Sequence, residues 1–305
     1  LLSGIDPIRI DLTGAISTTL DQDGSLSLSK LLPDRDDKEK DTKKDKGGDK
    51  ASSDPIPRMD INVHDLDIKL TELPDKRVFV YDISQLDVDY QPGGRFLLEG
   101  KAKTTADGQD GNITLKGTID NLISKSGALT PKQAKLTFDI GMNSVGLPLT
   151  PPQSQLKQLT LRMTSDDLSQ RLVIDGNASA QLANSGASTF ETNLVVNDPI
   201  VKNSSSQDFS FSPANLAGTI KGKNIPTALG QPFVAGSQLQ LTDDIGETID
   251  FSGTFGTADT PTNESADTPT STAGNTYTIA MSSSQLKANL TGTQNIASGG
   301  GSGKG

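Results

Sequence analysis

Leu136-Thr137-Phe138-Asp139-Ile140, and further along Leu159-Thr160-Leu161-Arg162-Met163, put an apolar side chain at every second residue with a polar one between. A period of two belongs to a strand with one apolar and one wet face, whereas a helix would space its apolar residues by three and four. The alternation continues outward in both directions: Ile8, Ile10 and Leu12; Leu26 and Leu28 among serines; Leu66, Ile68 and Leu70; Leu86, Val88 and Tyr90; Leu239 and Leu241; Tyr277, Ile279 and Met281. Turn chemistry lies between these runs at Asp23-Gly24, Gly93-Gly94, Asp110-Gly111 and Asp243-Asp244. Strand, polar turn, strand predicts an all-β chain folded as an antiparallel meander. Helix signals are few and short: Thr130-Pro131-Lys132-Gln133, Pro151 to Leu156, and Pro226 to Gly230.

Two places break the phase. Met59, Ile61 and Val63 give way to Leu66, Ile68 and Leu70, so the apolar parity flips across His64-Asp65, and a second slip lies between Ile83 and Leu86. A β-bulge at the first would return the apolar residues to one face. A local pattern, apolar-x-Gly-x-apolar, recurs around Gly14, Gly100, Gly117, Gly176, Gly218 and Gly253, with a degenerate copy at Gly292. In an alternating strand such a glycine shares the face of its apolar neighbours, leaving room for an aromatic ring, a sharp twist or a guest, or simply permitting the sheet to coil. The copies beginning at Leu12, Leu115 and Leu216 are 103 and 101 residues apart, which hints at a repeat of that period.

Composition sets the organisation. Residues 34–50 hold seven acidic and seven basic residues with no hydrophobe. Such a segment cannot bury enough surface to offset its chain entropy. The expected layout is N-terminal strands over 1–32, a disordered charged insertion over 33–57, and the main sheet over 58–256. A disordered Thr/Pro/Asp loop over 257–275, C-terminal strands over 276–295 and a Gly/Ser tail over 296–305 complete it. Only 32% of the residues are hydrophobic and 4% aromatic, so an extended sheet with a modest core suits the chain better than a compact globule.

The net charge of −10 argues against nucleic acid, which needs clustered Lys and Arg, and against attachment to anionic headgroups by charge alone. With no cysteine, disulfides, thiolate metal sites and cysteine nucleophiles are excluded. No apolar run is long enough for a membrane-spanning helix. A chain opening on Leu1-Leu2 without a signal pattern is expected to be a fragment whose targeting or anchoring segment lies upstream.

Chemistry is hard to find. The lone His64 sits beside a parity slip, where a bulge or surface role is the plainer reading than catalysis. Acid pairs Asp36-Asp37, Asp166-Asp167 and Asp243-Asp244 fall in expected loops. Asp21-Gln22-Asp23-Gly24 starts like a calcium loop but lacks the later ligands, and Gly299 to Lys304 resembles a phosphate loop only in composition. No catalytic residue, metal ligand or cofactor is expected.

Three stretches carry a family resemblance: Leu159 to Thr164 with Arg171 to Ala178; Leu216-Ala217-Gly218-Thr219-Ile220 through Pro226; and Ile8 to Ile16 followed by Leu26 to Pro33. In texture they resemble the AsmA-like, TamB-like family of cell-envelope proteins. The resemblance implies a long twisted sheet curled into an open groove, apolar inside, in the periplasm or cell envelope. It implies no enzyme activity, but binding or conduction of phospholipid acyl chains between membranes, or support of outer-membrane biogenesis. The expected partners are phospholipid and neighbouring β-segments of a longer protein. The groove-lining residues would be Leu66, Ile68, Leu70, Leu136, Phe138, Ile140, Leu159, Leu161 and Met163. The rival reading is a structural or adhesive β-sandwich module of a surface protein or tail fibre. A carbohydrate-active β-fold is a third, disfavoured because carbohydrate platforms use Trp or Tyr and the chain has no Trp and three Tyr.

Overall fold

The computed structural model describes residues 8–21, 58–73, 75–91, 93–124, 128–183, 186–202, 209–211, 215–234, 237–257 and 274–295. The expected charged insertion, the Gly/Ser tail, the strand around Leu26 and Leu28, and the Asp23-Gly24 turn lie outside these residues, as does most of the expected Thr/Pro/Asp loop.

The chain is nearly all β, with one mostly antiparallel sheet of 13 strands that does not close into a barrel. In chain order these are β1 (Ile8–Leu20), β2 (Met59–Glu72), β3 (Arg77–Tyr90), β4 (Arg95–Ala106), β5 (Gln109–Asp120), β6 (Lys135–Gly146), β7 (Gln155–Ser165), β8 (Arg171–Leu182) and β9 (Gly186–Asn197). β10 (Ile200–Lys202) and β11 (Phe209–Phe211) form a small hairpin of their own. The main sheet resumes with β12 (Asn215–Pro226), β13 (Thr248–Thr257), β14 (Gly274–Ser283) and β15 (Lys287–Asn295). Neighbours in the sheet follow chain order, with β12 beside β9.

One pairing departs from the antiparallel expectation. β1 runs parallel to β2, Ile8 opposite Met59 and Leu20 opposite Glu72. A parallel pair needs a connection that returns along the full strand length, and the chain between residues 20 and 59 supplies one.

Both phase slips prove to be one device. Val63 pairs with Leu86 and Leu66 with Ile83, so His64-Asp65 bulges directly opposite Ser84-Gln85. Asp65 takes a left-handed φ of 51°, and the apolar parity is restored on both strands at once.

Several local expectations are corrected. Asp110 and Gly111 are not a turn but lie in β5; the turn falls on Asp107 and Gly108, both with positive φ. Leu239 and Leu241 are not in a strand, and Asp243-Asp244 is not a hairpin turn. Leu241–Ile245 forms a short helix, α1, because the buried Gln231 claims the backbone of this segment, donating to the Leu239 carbonyl and accepting from the Leu241 amide, both at 2.9 Å. Pro131–Gln133 is a 3-10 turn as its Pro suggests, but the Thr130 hydroxyl donates to the Asn121 carbonyl instead of capping it. Pro226 precedes a 3-10 segment, Thr227–Val234, whereas Pro151 to Ser154 stays non-helical and Gln155-Leu156 opens β7. Thr257, Gly274 and Asn275, expected in a loop, extend β13 and β14.

The sheet folds closely on itself at the start of β5. A Cβ on Gly111 would lie 2.7 Å from the Asn143 carbonyl oxygen and closer still to that of Ser144. On the far side of this crease, a Cβ on Gly146 of β6 would collide with Ala106 Cβ of β4 and lie 3.4 Å from the Phe79 ring of β3. Flat strands two apart would hold these atoms about 10 Å apart. The sheet therefore curls, with its apolar side inward, around a glycine that allows β4 and β6 to meet.

Candidate functional site: the apolar face of the sheet

Register across the sheet, read strand by strand, assembles continuous apolar rows. One runs Leu12, Val63, Leu86, Gly100, Leu115, Ile140, Leu161, Gly176, Thr192, Ile220, Gly253, Ile279, Leu290 from β1 to β15. The next passes through Leu98, Gly117, Phe138, Met163, Ile174 and Leu194, and a third through Leu66, Ile83, Ala102, Ile113, Met142, Leu159 and Ala178. All nine expected lining residues, Leu66, Ile68, Leu70, Leu136, Phe138, Ile140, Leu159, Leu161 and Met163, share this inner face, and every one is half-buried.

Glycines punctuate the rows where a neighbour needs the space. A Cβ on Gly117 would sit 2.6 Å from the Phe138 ring, and one on Gly176 2.9 Å from Leu161. Gly253 faces Ile220 and the Phe255 ring, and Gly292 lies under the Tyr277 ring. Gly100 touches Leu86 and Leu115 at ordinary to tight distances. These are aromatic or aliphatic side chains laid across glycines, which flattens the inner surface while letting the sheet coil. Gly222, outside the sequence pattern, does the same for Phe251, which also packs against Phe190 with ring centroids 6.3 Å apart. Gly14 and Gly218 differ: both need a positive φ, 128° and 122°, and at Gly14 a Cβ would meet only open space. Gly117, in the middle of the hundred-residue spacing, has no such φ, so the three copies are not structurally equivalent.

The outer face carries the charges. The row behind the first apolar one reads Asp11, Asn62, Asp87, Glu99, Lys116, Asp139, Arg162, Asp175, Asn193 and then threonines 219, 254, 278 and 291. Lys116 pairs with Glu99 at 3.6 Å and Arg162 with Asp139 at 3.6 Å. Exposed pairs of this kind contribute little stability each but keep the outer surface wet.

The two ends of the inner face differ. Where β2 stops and β3 starts, the face becomes polar and closed. Arg77, nearly buried, pairs with Glu72 at 3.3 Å and with Asp107 at 2.7 Å, donates to the Thr150 carbonyl at 2.6 Å, and lies 5.0 Å over the Phe79 ring. Glu72 accepts from the Leu149 amide at 3.1 Å and Asp107 from the Gln153 amide at 3.0 Å. These bonds pin residues 147–154, the β6–β7 connection, across the mouth of the curl as a strap. Leu149 and Gln153 hold positive φ of 59° and 68° there, conformations a non-glycine residue keeps only when its surroundings impose them. Burial pushes the Glu72 carboxyl above its ordinary range against the pull of Arg77, while the hydrogen bond from Arg77 holds Asp107 below its own. Behind the strap, a cavity of about 360 Å³ separates it from the 3-10 segment and α1.

At the opposite end the inner face ends on Tyr90, Phe96, Ile119, Leu136 and Ser165. Tyr90 and Ser165 are more than nine-tenths buried, and neither hydroxyl has a hydrogen-bond partner among the described residues; burial raises the Tyr90 phenol pKa. A third unpartnered inner hydroxyl, Thr192, stands mid-face.

Of the acid pairs, Asp166-Asp167 lies in the β7–β8 bend, where Asp167 accepts from the Ser169 amide, and Asp243-Asp244 lies in α1. His64 is exposed beside Asp65. Among the described residues no cluster of His, Asp and Glu has metal-site geometry, and no helix is long and apolar enough to cross a membrane. Sequence reasoning did not find the Arg77 cluster or the strap: Glu72 and Arg77 face each other only once the β2–β3 register is known, and Asp107 and Thr150 join them from two further segments of the folded chain. Comparison with protein-family models, with curated proteins and with solved structures found no match.

Proposed function

We propose that this chain is a non-enzymatic segment of a cell-envelope protein whose inner sheet face binds or conducts phospholipid acyl chains. The observation that carries the reading is a continuous apolar face, spanning all 13 strands of the main sheet from β1 to β15, that no second layer among the described residues covers. Apart from the buried Val63, its aliphatic side chains between the edge strands are only partly buried, and Leu290 at the β15 edge is 54% exposed. Residues of the fully buried core, such as Phe79, Ala106, Leu172 and Val196, gather toward the two ends of the strands.

An acyl chain suits this face better than a peptide. Along the strands the backbone groups are consumed by the ladder, and the inner side chains are almost all hydrocarbon. A peptide laid in the trough would bury its own amides without partners at a cost of about 1–3 kcal/mol per group. A hydrocarbon tail has no such groups and gains about 0.8 kcal/mol per buried methylene. Localisation in the periplasm, and extension of the sheet by neighbouring β-segments of a longer protein, belong to the same proposal.

The test is mass spectrometry of organic extracts from protein purified without detergent. Phospholipid at a fixed stoichiometry, lost in Phe138→Asp and Leu161→Asp, is expected. A lipid-free, monodisperse protein would point instead to a structural surface module.

A further inference from the structure

The two ends of the trough are chemically unlike, and a ligand with a polar head and an apolar tail must lie one way round in it. Resting on the acyl-chain reading above, we propose that the bound amphiphile is oriented with its hydrogen-bonding head at the Tyr90 end and its tail running toward the strap at residues 147–154.

Two independent observations carry this. At the strap end the buried charged groups are already engaged with one another. Arg77 is shared among Glu72, Asp107 and the Thr150 carbonyl, and the two carboxylates take the Leu149 and Gln153 amides. Four of the five guanidinium N–H donors are taken in this way and the Arg77 charge is shared by two carboxylates, so a headgroup arriving there finds its strongest donor largely spent, and the strap stands across its path. In front of the strap the wall is apolar: Phe79 and Ala106 close against Gly146, with Leu70 beside Phe79 in the sheet. A methyl terminus needs nothing more.

At the other end the requirement is reversed. The Tyr90 hydroxyl, on a residue 6% exposed, has no partner, and the Ser165 hydroxyl on the same terminal row has none either. A buried donor without an acceptor is a standing cost to the fold, which an ester or phosphate oxygen would relieve. Phe79 and Tyr90 are the two ends of the inner face on β3, about 35 Å apart at ~3.3 Å per residue, so the trough between them is long enough to lay out a tail. Tyr90 is therefore a positioning residue for the head, and the strap sets where the tail stops.

The absence of native cysteine makes the experiment direct. A fluorophore is attached at Pro152→Cys on the strap, or at Gln91→Cys beside Tyr90, and each labelled 305-residue chain is mixed with phosphatidylcholine carrying a nitroxide either on the headgroup or near the tail terminus. Tail nitroxide should quench the strap label and head nitroxide the Gln91→Cys label. The reverse pattern, or equal quenching of both labels by both lipids, would overturn the orientation while leaving the acyl-chain reading standing. No quenching of either label by either lipid would remove the acyl-chain reading and the orientation with it. Tyr90→Phe provides a second measurement. Because the hydroxyl is buried without a protein partner, its loss should not lower the melting temperature of the lipid-free protein, yet should weaken lipid retention about fivefold, the worth of one hydrogen bond. Unchanged retention in Tyr90→Phe would take the head away from Tyr90.

Discussion

At Gly117 one methyl group decides between a flat inner wall and a clash. The Phe138 ring lies where a Cβ would stand, 2.6 Å from its nearest carbon, and the backbone φ there is one any residue can adopt. Gly117→Ala should therefore destabilise by overpacking alone, by about 1–3 kcal/mol in urea titrations. Gly256→Ala is the control: its Cβ would meet Thr276 Oγ1 at an ordinary 3.7 Å, and its effect should stay within about 0.5 kcal/mol. The Arg77 cluster gives a residue-scale prediction in pH. Glu72 has a raised pKa in the fold, so its contribution to stability is complete below the ordinary glutamate value and fades as pH rises through the raised one. Asp107 is depressed, so its contribution is present above the ordinary aspartate value and fades as pH falls through the lowered one. Glu72→Gln should flatten the loss of stability between mildly acid and neutral pH, and Asp107→Asn the loss in strong acid. Urea midpoints at stepped pH check both, and a Glu72→Gln profile parallel to that of the parent would refute the first.

At the scale of the element, the paired bulge between β2 and β3 keeps Leu66, Ile68 and Leu70 on the inner face. Removing Asp65 alone would shift the rest of β2 by one residue and turn those three side chains outward. Deletion of Asp65 should yield protein that aggregates or unfolds cooperatively at much lower urea. Asp65→Val keeps the register but forces a β-branched residue into φ 51°, and should cost only about 1–2 kcal/mol. The bulge itself was legible in the sequence, because period-two parity is a direct record of which face each side chain takes. The parallel pairing of β1 was not, since alternation says nothing of strand direction. Neither was α1: Leu239 and Leu241 alternate like a strand, and only the tertiary position of Gln231 diverts their backbone.

For the whole molecule, a sheet in which nearly every strand contacts only its chain neighbours behaves as a one-dimensional array, with stability passed from strand to strand. Its ends should fray first. Most of β1 is exposed from Ile8 to Ile16, and β15 carries the exposed Leu290, whereas β4 to β9 are flanked on both sides. Native-state amide exchange is expected to be slowest in β4 to β9 and fastest in β1 and β15. Uniform protection across the sheet would mean that one cooperative core holds it.

The sequence by itself determined the all-β class, the amphipathic strands, the bulge at His64-Asp65 and the residues of the inner face, because these follow from a local period that each strand obeys independently. The tertiary structure decided the rest: the parallel first strand, the crease at Gly111, and the strap that Arg77, Glu72 and Asp107 pin across one end. Those features depend on contacts between residues far apart in the chain. A curl that brings β3 and β4 against β6 is a property of accumulated twist, which no single strand contains.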